Sequence, residues 1–285
     1  MEHTSCPLCG SGDYTDLWER GGARYVRCTG CSLVYENPRF TAEELKEFYS
    51  SESYYLRSGG ATEATSGYAD YFAQCSPAIL EDYFSLLRRI APAAGPVRFL
   101  DVGCGPGGLV DVARRAGWEA TGLELSSWSV EQGRRRGLQI VEGTLEQAAF
   151  PGGSFDVISL FDVLEHLPRP VEYVRELHRI LKPGGAVLVE TPNVEGFFVR
   201  RLYRERSDMV KPRAHICLYG PRTARRLFPV PPFAEVRVET FPWCRRHTPG
   251  YLKSVLLSRL VPGRPPVQLT WDESMRIVAR KGERA

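Results

Sequence analysis

The chain has 285 residues, 43% of them hydrophobic and 25% charged, and its formal net charge is +3. This composition excludes a disordered or fibrous protein, and the length allows one large domain together with a small one. No run of about 18 apolar residues is present. The first ten residues, MEHTSCPLCG, lack the basic and apolar regions of a secretion signal, so we expect a cytoplasmic protein.

Positive charge is concentrated in the last third of the sequence. Residues 199–285 contain 19 basic and 7 acidic side chains, whereas the preceding 198 residues are net negative. This asymmetry suggests that the C-terminal part meets an anionic molecule, although a set of solvated arginines would give the same pattern.

Four cysteines form two CxxC pairs, CPLC and CTGC, with eighteen residues between the pairs. Two such turns facing each other supply four thiolates for a tetrahedral zinc ion. Disulfides are disfavoured in a cytoplasmic chain, and no βαβ pattern surrounds either pair as in a redox motif. The sequence therefore predicts a closed, structural zinc site at Cys6, Cys9, Cys28 and Cys31. The other cysteines, Cys75, Cys104, Cys217 and Cys244, are expected to be ordinary buried thiols.

The segment after the cysteines predicts a helical connection. A short strand is followed by a turn at Asn37–Pro38 and by a helix that Thr41 caps, with Glu44 at the third helical position. A Gly/Ser/Thr-rich joint precedes an amphipathic helix over about 77–91, which ends at Pro92. We therefore expect a zinc ribbon over 1–36 and a helical linker or cap over 37–95.

From residue 97 onwards, strands of five to seven residues alternate with helices. This alternation predicts an α/β domain over 96–285, built on a doubly wound and mostly parallel sheet. Ligands of such sheets bind at the carboxyl ends of the strands.

A glycine-rich stretch, DVGCGPGG, follows the first of these strands. Gly103, Gly105 and Gly107 allow the backbone to approach a ligand ahead of a helix N-terminus, a pattern compatible with NAD, FAD or S-adenosylmethionine. Asp101 would repel a pyrophosphate but suits an ammonium group. Glu124 ends the next strand, where its carboxylate can accept ribose hydroxyls.

Several stretches together resemble the class I S-adenosylmethionine-dependent methyltransferases. They are FLDVGCGPGG, GLELS, FPGGSFDVISLFDVLEHLPRP, ELHRILKPGGAVLVETPN and HICLYGPRTARRLF, and the likeness spans about residues 97–281. Within that superfamily the chain is similar to small-molecule methyltransferases that carry an N-terminal zinc ribbon followed by LVYxNPR. The resemblance implies a Rossmann-like sheet of seven strands, whose last, antiparallel strand matches 275–281.

The same resemblance implies a set of cofactor-binding residues. Asp101 and the three glycines would line the cofactor loop, Glu124 would hold the ribose, and Leu125 would lie near the adenine. The position that is commonly acidic after the third strand is Thr144 here, so adenine recognition would rest on backbone groups or on Glu146. The full predicted set is Asp101, Gly103, Gly105, Gly107, Glu124, Leu125, Thr144, Leu145 and Phe161.

The stretch DVLEHL, residues 162–167, allows three interpretations. If it is helical, Asp162, Glu165 and His166 share one face, and the stretch can simply begin a helix. Alternatively, His166 and His215, in KPRAHICLYGP, are catalytic bases or orient the acceptor without a metal. Resemblance to certain ubiquinone-pathway and small-RNA O-methyltransferases supports the third interpretation, a divalent cation held by Asp162, Glu165, His166 and His215.

The basic residues near His215 would suit an anionic acceptor. They are Arg200, Arg201, Arg204, Arg206, Lys211 and Arg213. We therefore expect methyl transfer from S-adenosylmethionine to an oxygen or nitrogen of a small, anionic molecule, such as a secondary metabolite or nucleotide sugar, in a biosynthetic pathway.

Two alternatives stay open from the sequence. The acceptor can be RNA, with the ribbon as a nucleic-acid module, although the ribbon is net acidic and its aromatic residues are not interleaved with basic ones. The chain can also be a cofactor-binding scaffold without turnover. We expect no membrane association, and the sequence predicts no oligomeric state.

Overall fold

A computed structural model describes residues 1–41, 43–45, 48, 77–93, 95–196, 210–229, 232–241 and 274–283. Its strands are β1 (Tyr14–Arg20), β2 (Ala23–Cys28), β3 (Val34–Glu36), β4 (Arg98–Val102), β5 (Glu119–Glu124), β6 (Ile140–Glu142), β7 (Phe155–Phe161), β8 (Leu181–Pro192), β9 (Cys217–Leu218), β10 (Phe233–Phe241) and β11 (Ser274–Lys281). Its helices of four or more residues are α1 (Pro77–Ile90), α2 (Gly108–Arg115), α3 (Ser127–Arg135), α4 (Leu145–Ala148), α5 (Pro170–Ile180) and α6 (Pro221–Leu227).

The larger sheet has seven strands in the order β10-β11-β8-β7-β4-β5-β6. β4 pairs in parallel with both β5 and β7, and β7 pairs in parallel with β8. β11 is antiparallel to both of its neighbours. The predicted seven-stranded, mostly parallel sheet with a final antiparallel strand is therefore confirmed.

The helices cover this sheet because each has one apolar face. The spacing of α1 predicted an apolar side formed by Ile79, Tyr83, Leu86, Leu87 and Ile90; the buried residues are Leu87 and Phe84, and the other four are half-buried. Thr41 and Glu44 form the predicted reciprocal cap, in which Glu44 accepts from the Thr41 amide at 2.8 Å and Thr41 accepts from the Glu44 amide at 3.3 Å.

The smaller sheet is antiparallel and has four strands in the order β1-β2-β3-β9. Its first three strands come from the predicted ribbon, but β9, at Cys217–Leu218, comes from a segment far along the chain from β3. Val34 pairs with Leu218, and Tyr35 pairs with Cys217. The predicted boundary at residue 36 stays a prediction, and the sheet itself extends across it to β9.

Some predicted features fall outside the described residues. They include the Gly/Ser/Thr-rich joint at 57–67 and the arginines 200, 201, 204 and 206. In the part of the chain that the structure describes, no helix has the length and hydropathy of a membrane span.

Candidate active site

The glycine-rich loop lies between the carboxyl end of β4 and the start of α2. Gly103, Gly105 and Gly107 have φ values of +68°, +53° and +86°, which L side chains rarely adopt. A Cβ on Gly103 would lie 2.5 Å from Cγ2 of Val163, and one on Gly107 would lie 2.7 Å from Cδ1 of Leu138. The loop therefore contacts the turn that follows β7, which places the predicted cofactor loop and DVLEHL side by side.

Glu124 lies at the carboxyl end of β5 and is 9% exposed. Its Oε2 accepts from the Gly105 amide at 2.9 Å, and its Oε1 accepts from the amides of Leu125 and Ser126 at 2.8 and 2.9 Å. The carboxylate thus fixes the glycine-rich loop against β5. The glycine-rich loop and β5 meet at Glu124, the residue predicted to hold the ribose of the cofactor.

Asp101 is buried near the end of β4, and its Oδ1 accepts from the Ser159 hydroxyl at 2.6 Å. The pKa of Asp101 is raised to about 7, because burial and, to a smaller extent, the nearby charge of Glu124 outweigh the lowering effect of the Ser159 hydrogen bond. The carboxyl group therefore titrates near neutral pH. The sequence did not single out Ser159, because its contact with Asp101 depends on pairing between β4 and β7.

The other predicted cofactor residues have different environments. The Leu125 side chain is 51% exposed beside Glu124, which leaves an apolar surface for a flat ring. Thr144 caps α4 by accepting from the Gln147 amide at 3.2 Å, and Leu145 is fully buried. The Phe161 ring lies 4.0 Å from that of Tyr83. Contacts of these four side chains with the cofactor stay predictions.

The helical arrangement considered for DVLEHL is wrong. Asp162 has a φ of +54°, and Leu164–His166 form a single 3-10 turn well before α5 begins at Pro170. Among the described residues, the Asp162 carboxylate does not belong to the group of potential metal ligands formed by Glu165, His166 and His215. The interpretation as a helix start holds only for this single 3-10 turn, because α5 begins four residues after it.

Glu165, His166 and His215 are brought together at this edge of the sheet. One ligand atom from each lies within 4.8 Å of the others. His215 Nε2 is 3.8 Å from Glu165 Oε1, and the two imidazole rings meet edge to face with centroids 4.8 Å apart. Glu165 is 1% exposed; its Oε2 accepts from the Thr191 hydroxyl, whereas its Oε1 has no hydrogen-bond partner among the described residues.

Hydrogen bonding and burial set the protonation of this cluster. His166 Nδ1 lies 2.9 Å from the Ala214 carbonyl oxygen, which can only accept, so Nδ1 carries a proton. Burial lowers the pKa of His166 to about 4, and the Lys211 ammonium adds to this effect. Burial and then the charge of Asp162 raise the pKa of Glu165 to about 8.

Two basic residues proposed for an anionic acceptor occupy different positions. Lys211 is exposed and close enough to lower the pKa of both Glu165 and His166. Arg213 instead forms an ion pair with Glu36, a fully buried residue of the smaller sheet. Arg213 is therefore removed from the predicted acceptor-binding set. Glu36 was not predicted as its partner, although it occupies the variable position of the LVYxNPR motif.

The four predicted zinc ligands form one group in the smaller sheet. All four Sγ atoms lie within 4.8 Å of one another, and the pairs Cys6–Cys31 and Cys9–Cys28 are 3.5 and 3.4 Å apart. A tetrahedron with Zn–S bonds of about 2.3 Å has sulfur atoms about 3.8 Å apart, so the group fits zinc. Tyr35 has a buried hydroxyl without a hydrogen-bond partner among the described residues; burial, then the Cys6 and Cys28 charges, raise the pKa of Tyr35.

Comparison with known proteins identifies the class of this fold and site. A family model described as "Methyltransferase domain" matches residues 72–229, which is more than half of the chain. The chain belongs to this methyltransferase family, and the predicted class I S-adenosylmethionine-dependent methyltransferase is confirmed. The family match does not test the zinc ribbon.

Part of the chain is similar to ubiquinone biosynthesis O-methyltransferases. The protein of Albidiferax ferrireducens is 37% identical over 115 residues, which cover 38% of this chain and 45% of the relative. That of Xanthomonas oryzae pv. oryzae is 36% identical over 119 residues, which cover 39% of this chain and 48% of the relative. The match thus spans about half the length of each relative.

Solved structures share the fold at low sequence identity. An S-adenosylmethionine-dependent methyltransferase from Archaeoglobus fulgidus has a TM-score of 0.53 and 19% identity, covering 75% of this chain and 98% of that one. Phosphoethanolamine N-methyltransferase 2 from Haemonchus contortus has a TM-score of 0.59 and 17% identity, covering 95% of this chain and 72% of that one. At these sequence identities, the two comparisons show a shared fold only.

Proposed function

We propose that this protein transfers a methyl group from S-adenosylmethionine to a hydroxyl oxygen of a small, anionic biosynthetic metabolite. The observation that carries the proposal is the contact between the glycine-rich loop and the turn containing Glu165 and His166. Because a Cβ on Gly103 would collide with Val163, a donor at the loop and an acceptor at the cluster would be immediate neighbours. The similarity to ubiquinone biosynthesis O-methyltransferases favours oxygen over nitrogen.

The donor site consists of the glycine-rich loop, Asp101, Glu124 and Leu125. When bound, S-adenosylmethionine supplies an electrophilic methyl group on a sulfonium. Glu124 orders the loop through Gly105 and presents a carboxylate at the end of β5. In its ionised form Asp101 favours an ammonium group, and the exposed Leu125 provides apolar contact for an adenine.

The three-residue cluster would orient the acceptor and take its proton. His166, whose Nδ1 lies 2.9 Å from the Ala214 carbonyl oxygen, would help to orient the substrate hydroxyl, although a pKa of about 4 makes it a weak base. The His215 imidazole is the second proposed acceptor of the hydroxyl proton, and its Nε2 lies 3.8 Å from Glu165 Oε1. In-line transfer then requires the acceptor oxygen to point at the methyl carbon.

The same three residues also fit a divalent cation, which is the second candidate for this site. One carboxylate and two imidazoles converge within 4.8 Å, and Glu165 Oε1 has no hydrogen-bond partner among the described residues. This donor set suits Mn²⁺, Fe²⁺ or Zn²⁺ better than Mg²⁺. A cation there would lower the pKa of an acceptor hydroxyl.

Lys211 is the described residue that best suits an anionic group on the acceptor. Its ammonium is exposed, and its charge acts on both Glu165 and His166, which places it beside the cluster. A carboxylate or phosphate on the substrate would lie near Lys211 while the hydroxyl reaches His166.

Methyl-labelled S-adenosylmethionine incubated with metabolite pools and, separately, with RNA tests the proposed function. Label in the metabolite fraction would support it, and an anionic labelled product would support the proposed acceptor class. Label in RNA alone would establish the RNA alternative. Tight cofactor binding without label in either fraction would establish the scaffold alternative.

A further inference from the structure

The smaller sheet contacts the acceptor side of the site through residues 210–219, which we call the histidine segment. This segment includes Lys211, His215 and β9. β9 adds to β3 as its edge partner, and the Glu36 amide donates to the Ile216 carbonyl at 2.9 Å. The segment is therefore an integral part of the ribbon sheet.

A buried ion pair holds the segment four residues before β9. The fully buried Glu36 carboxylate accepts from the Arg213 amide at 3.1 Å and pairs with the Arg213 guanidinium. Arg213 has a φ of +68°, a conformation that an arginine adopts only when its surroundings impose it. Glu36 supplies that constraint by binding both the backbone and the side chain of the same residue.

The turn between β1 and β2 also contacts Arg213, and it contacts the neighbouring Pro212. The Arg213 guanidinium donates to the Gly22 carbonyl at 2.6 Å, and a Cβ on Gly21 would lie 3.2 Å from Pro212. The guanidinium also lies over the Phe40 ring, 5.2 Å from its centroid. Pro212 and Arg213 are thus enclosed by the turn between β1 and β2 and by Phe40.

A further hydrogen bond reaches the candidate catalytic histidine itself. Tyr25, fully buried on β2, donates from its hydroxyl to the His215 carbonyl oxygen at 3.1 Å. The neighbouring Ala214 carbonyl oxygen accepts from His166 Nδ1 at 2.9 Å. The backbone that the ribbon holds therefore carries one histidine and fixes the ring orientation of the other.

We propose that the ribbon positions the catalytic histidines, with Glu36, Arg213 and Tyr25 as positioning residues that set the orientation of His215 and, through the Ala214 carbonyl, of His166. The proposal rests on the proposed function in treating these histidines as the acceptor site. It assigns the ribbon a role in the geometry of that site in addition to its own folding.

The test uses NMR of the full chain labelled with ¹⁵N-histidine, because ring-nitrogen shifts report tautomer and hydrogen bonding. The chain has five histidines, so His166→Gln and His215→Gln variants assign the two signals. The variants are Glu36→Gln and Tyr25→Phe. The matched control is Asp16→Asn, which neutralises a carboxylate on β1 in a largely exposed ion pair with Arg24.

We expect the wild-type His166 signal to show one tautomer, protonated at Nδ1. Glu36→Gln and Tyr25→Phe should lose this single signature and shift the His215 signal, whereas Asp16→Asn should leave both unchanged. Carbethoxylation of the buried His215, followed by mass spectrometry, should become faster by about tenfold or more in Glu36→Gln because local opening exposes the ring.

Zinc content and S-adenosylmethionine affinity, measured on every variant, separate positioning from general unfolding. If Glu36→Gln loses zinc or the fold, Tyr25→Phe decides the outcome, since it removes one hydroxyl and keeps the ring. Wild-type histidine signals in a folded Tyr25→Phe variant would overturn the proposal, as would equal changes in Asp16→Asn. Because these readouts need no acceptor, their failure is distinguishable from failure of methyl transfer.

Discussion

The Asp101 carboxyl group shows how burial changes the chemistry of a residue that the sequence had already singled out. In the unfolded chain its pKa has the ordinary value near 3.8, whereas burial raises the pKa in the folded protein to about 7. At a pH between these two pKa values, Asp101 keeps its proton in the folded protein but has released it in the unfolded chain. The free energy of unfolding must therefore fall as pH rises from about 4 to about 7.

We predict that Asp101→Asn removes this part of the pH dependence. From pH 5 to pH 7.5, without cofactor, the free energy of unfolding of the wild type should fall by about 2–3 kcal/mol more than that of the variant. Urea denaturation at the two pH values measures the difference. Parallel pH profiles would show that Asp101 is ionised throughout this range in the folded protein.

At Glu124 we predict a loss of cofactor affinity. Glu124→Gln replaces a carboxylate that accepts three backbone amides, so S-adenosylmethionine binding should weaken by about 1–3 kcal/mol. Calorimetry measures the affinity. Glu142→Gln, which neutralises an exposed carboxylate at the end of β6, serves as the control and should bind as the wild type does. Equal affinities in the two variants would contradict the assigned donor site.

At the scale of elements, the turn after β7 and the histidine segment act together. We predict that His166→Ala and His215→Ala each lower the methyl-transfer rate at least about tenfold while cofactor affinity is retained. His178→Gln, on α5 and packed against Phe233, is the control and should keep its rate. Wild-type turnover in both alanine variants would remove the cluster from the mechanism.

Chelation separates the two mechanisms that this cluster allows. A metal-free mechanism predicts that mild chelation leaves the rate unchanged. A metal mechanism predicts that activity is lost and then restored by Mn²⁺, Fe²⁺ or Zn²⁺ while the ribbon zinc stays bound. Zinc content must therefore be measured alongside the rate.

Local patterns predicted most elements of the larger sheet. β7 was predicted as FDVISLF and is found at Phe155–Phe161, and α1 was predicted over about 77–91 and ends at Ile90. The pattern of apolar residues and the position of Pro92 were enough to predict these two elements, because both signals depend only on residues that are close together in the sequence. The DVLEHL stretch differs because its backbone reverses at Asp162, and residue spacing carries no signal for a positive φ at an aspartate.

The site was predictable where a motif carries its own geometry and unpredictable where the contact is tertiary. The cysteine spacing predicted the cluster of four thiols, and the glycine pattern predicted a sharply turning loop after β4. The partners of Asp101 and Arg213, by contrast, depend on elements far apart in the chain: Ser159 on β7 and Glu36 on β3. No local sequence pattern indicates such contacts. Arg213 was therefore predicted to bind the acceptor, although it is paired with Glu36 in the smaller sheet.

At the scale of the whole molecule, we predict one tightly held zinc per chain. The ribbon's small sheet has little core of its own, so the metal should stabilise its fold. Cys28→Ser should lose zinc and solubility before it loses cofactor affinity, whereas Cys104→Ala should keep zinc because that thiol lies outside the cluster. Elemental analysis of protein purified without chelators measures the ratio. An absence of zinc there would refute this prediction.

In the proposed function, the glycine-rich loop and the histidine cluster form one methyl-transfer site. The most direct measurement compares transfer of labelled methyl from S-adenosylmethionine into a metabolite pool by the wild type, His215→Ala and His178→Gln. We expect a labelled small molecule with the wild type and with His178→Gln, and a loss of at least about tenfold in rate with His215→Ala. Equal labelling by all three proteins would contradict it.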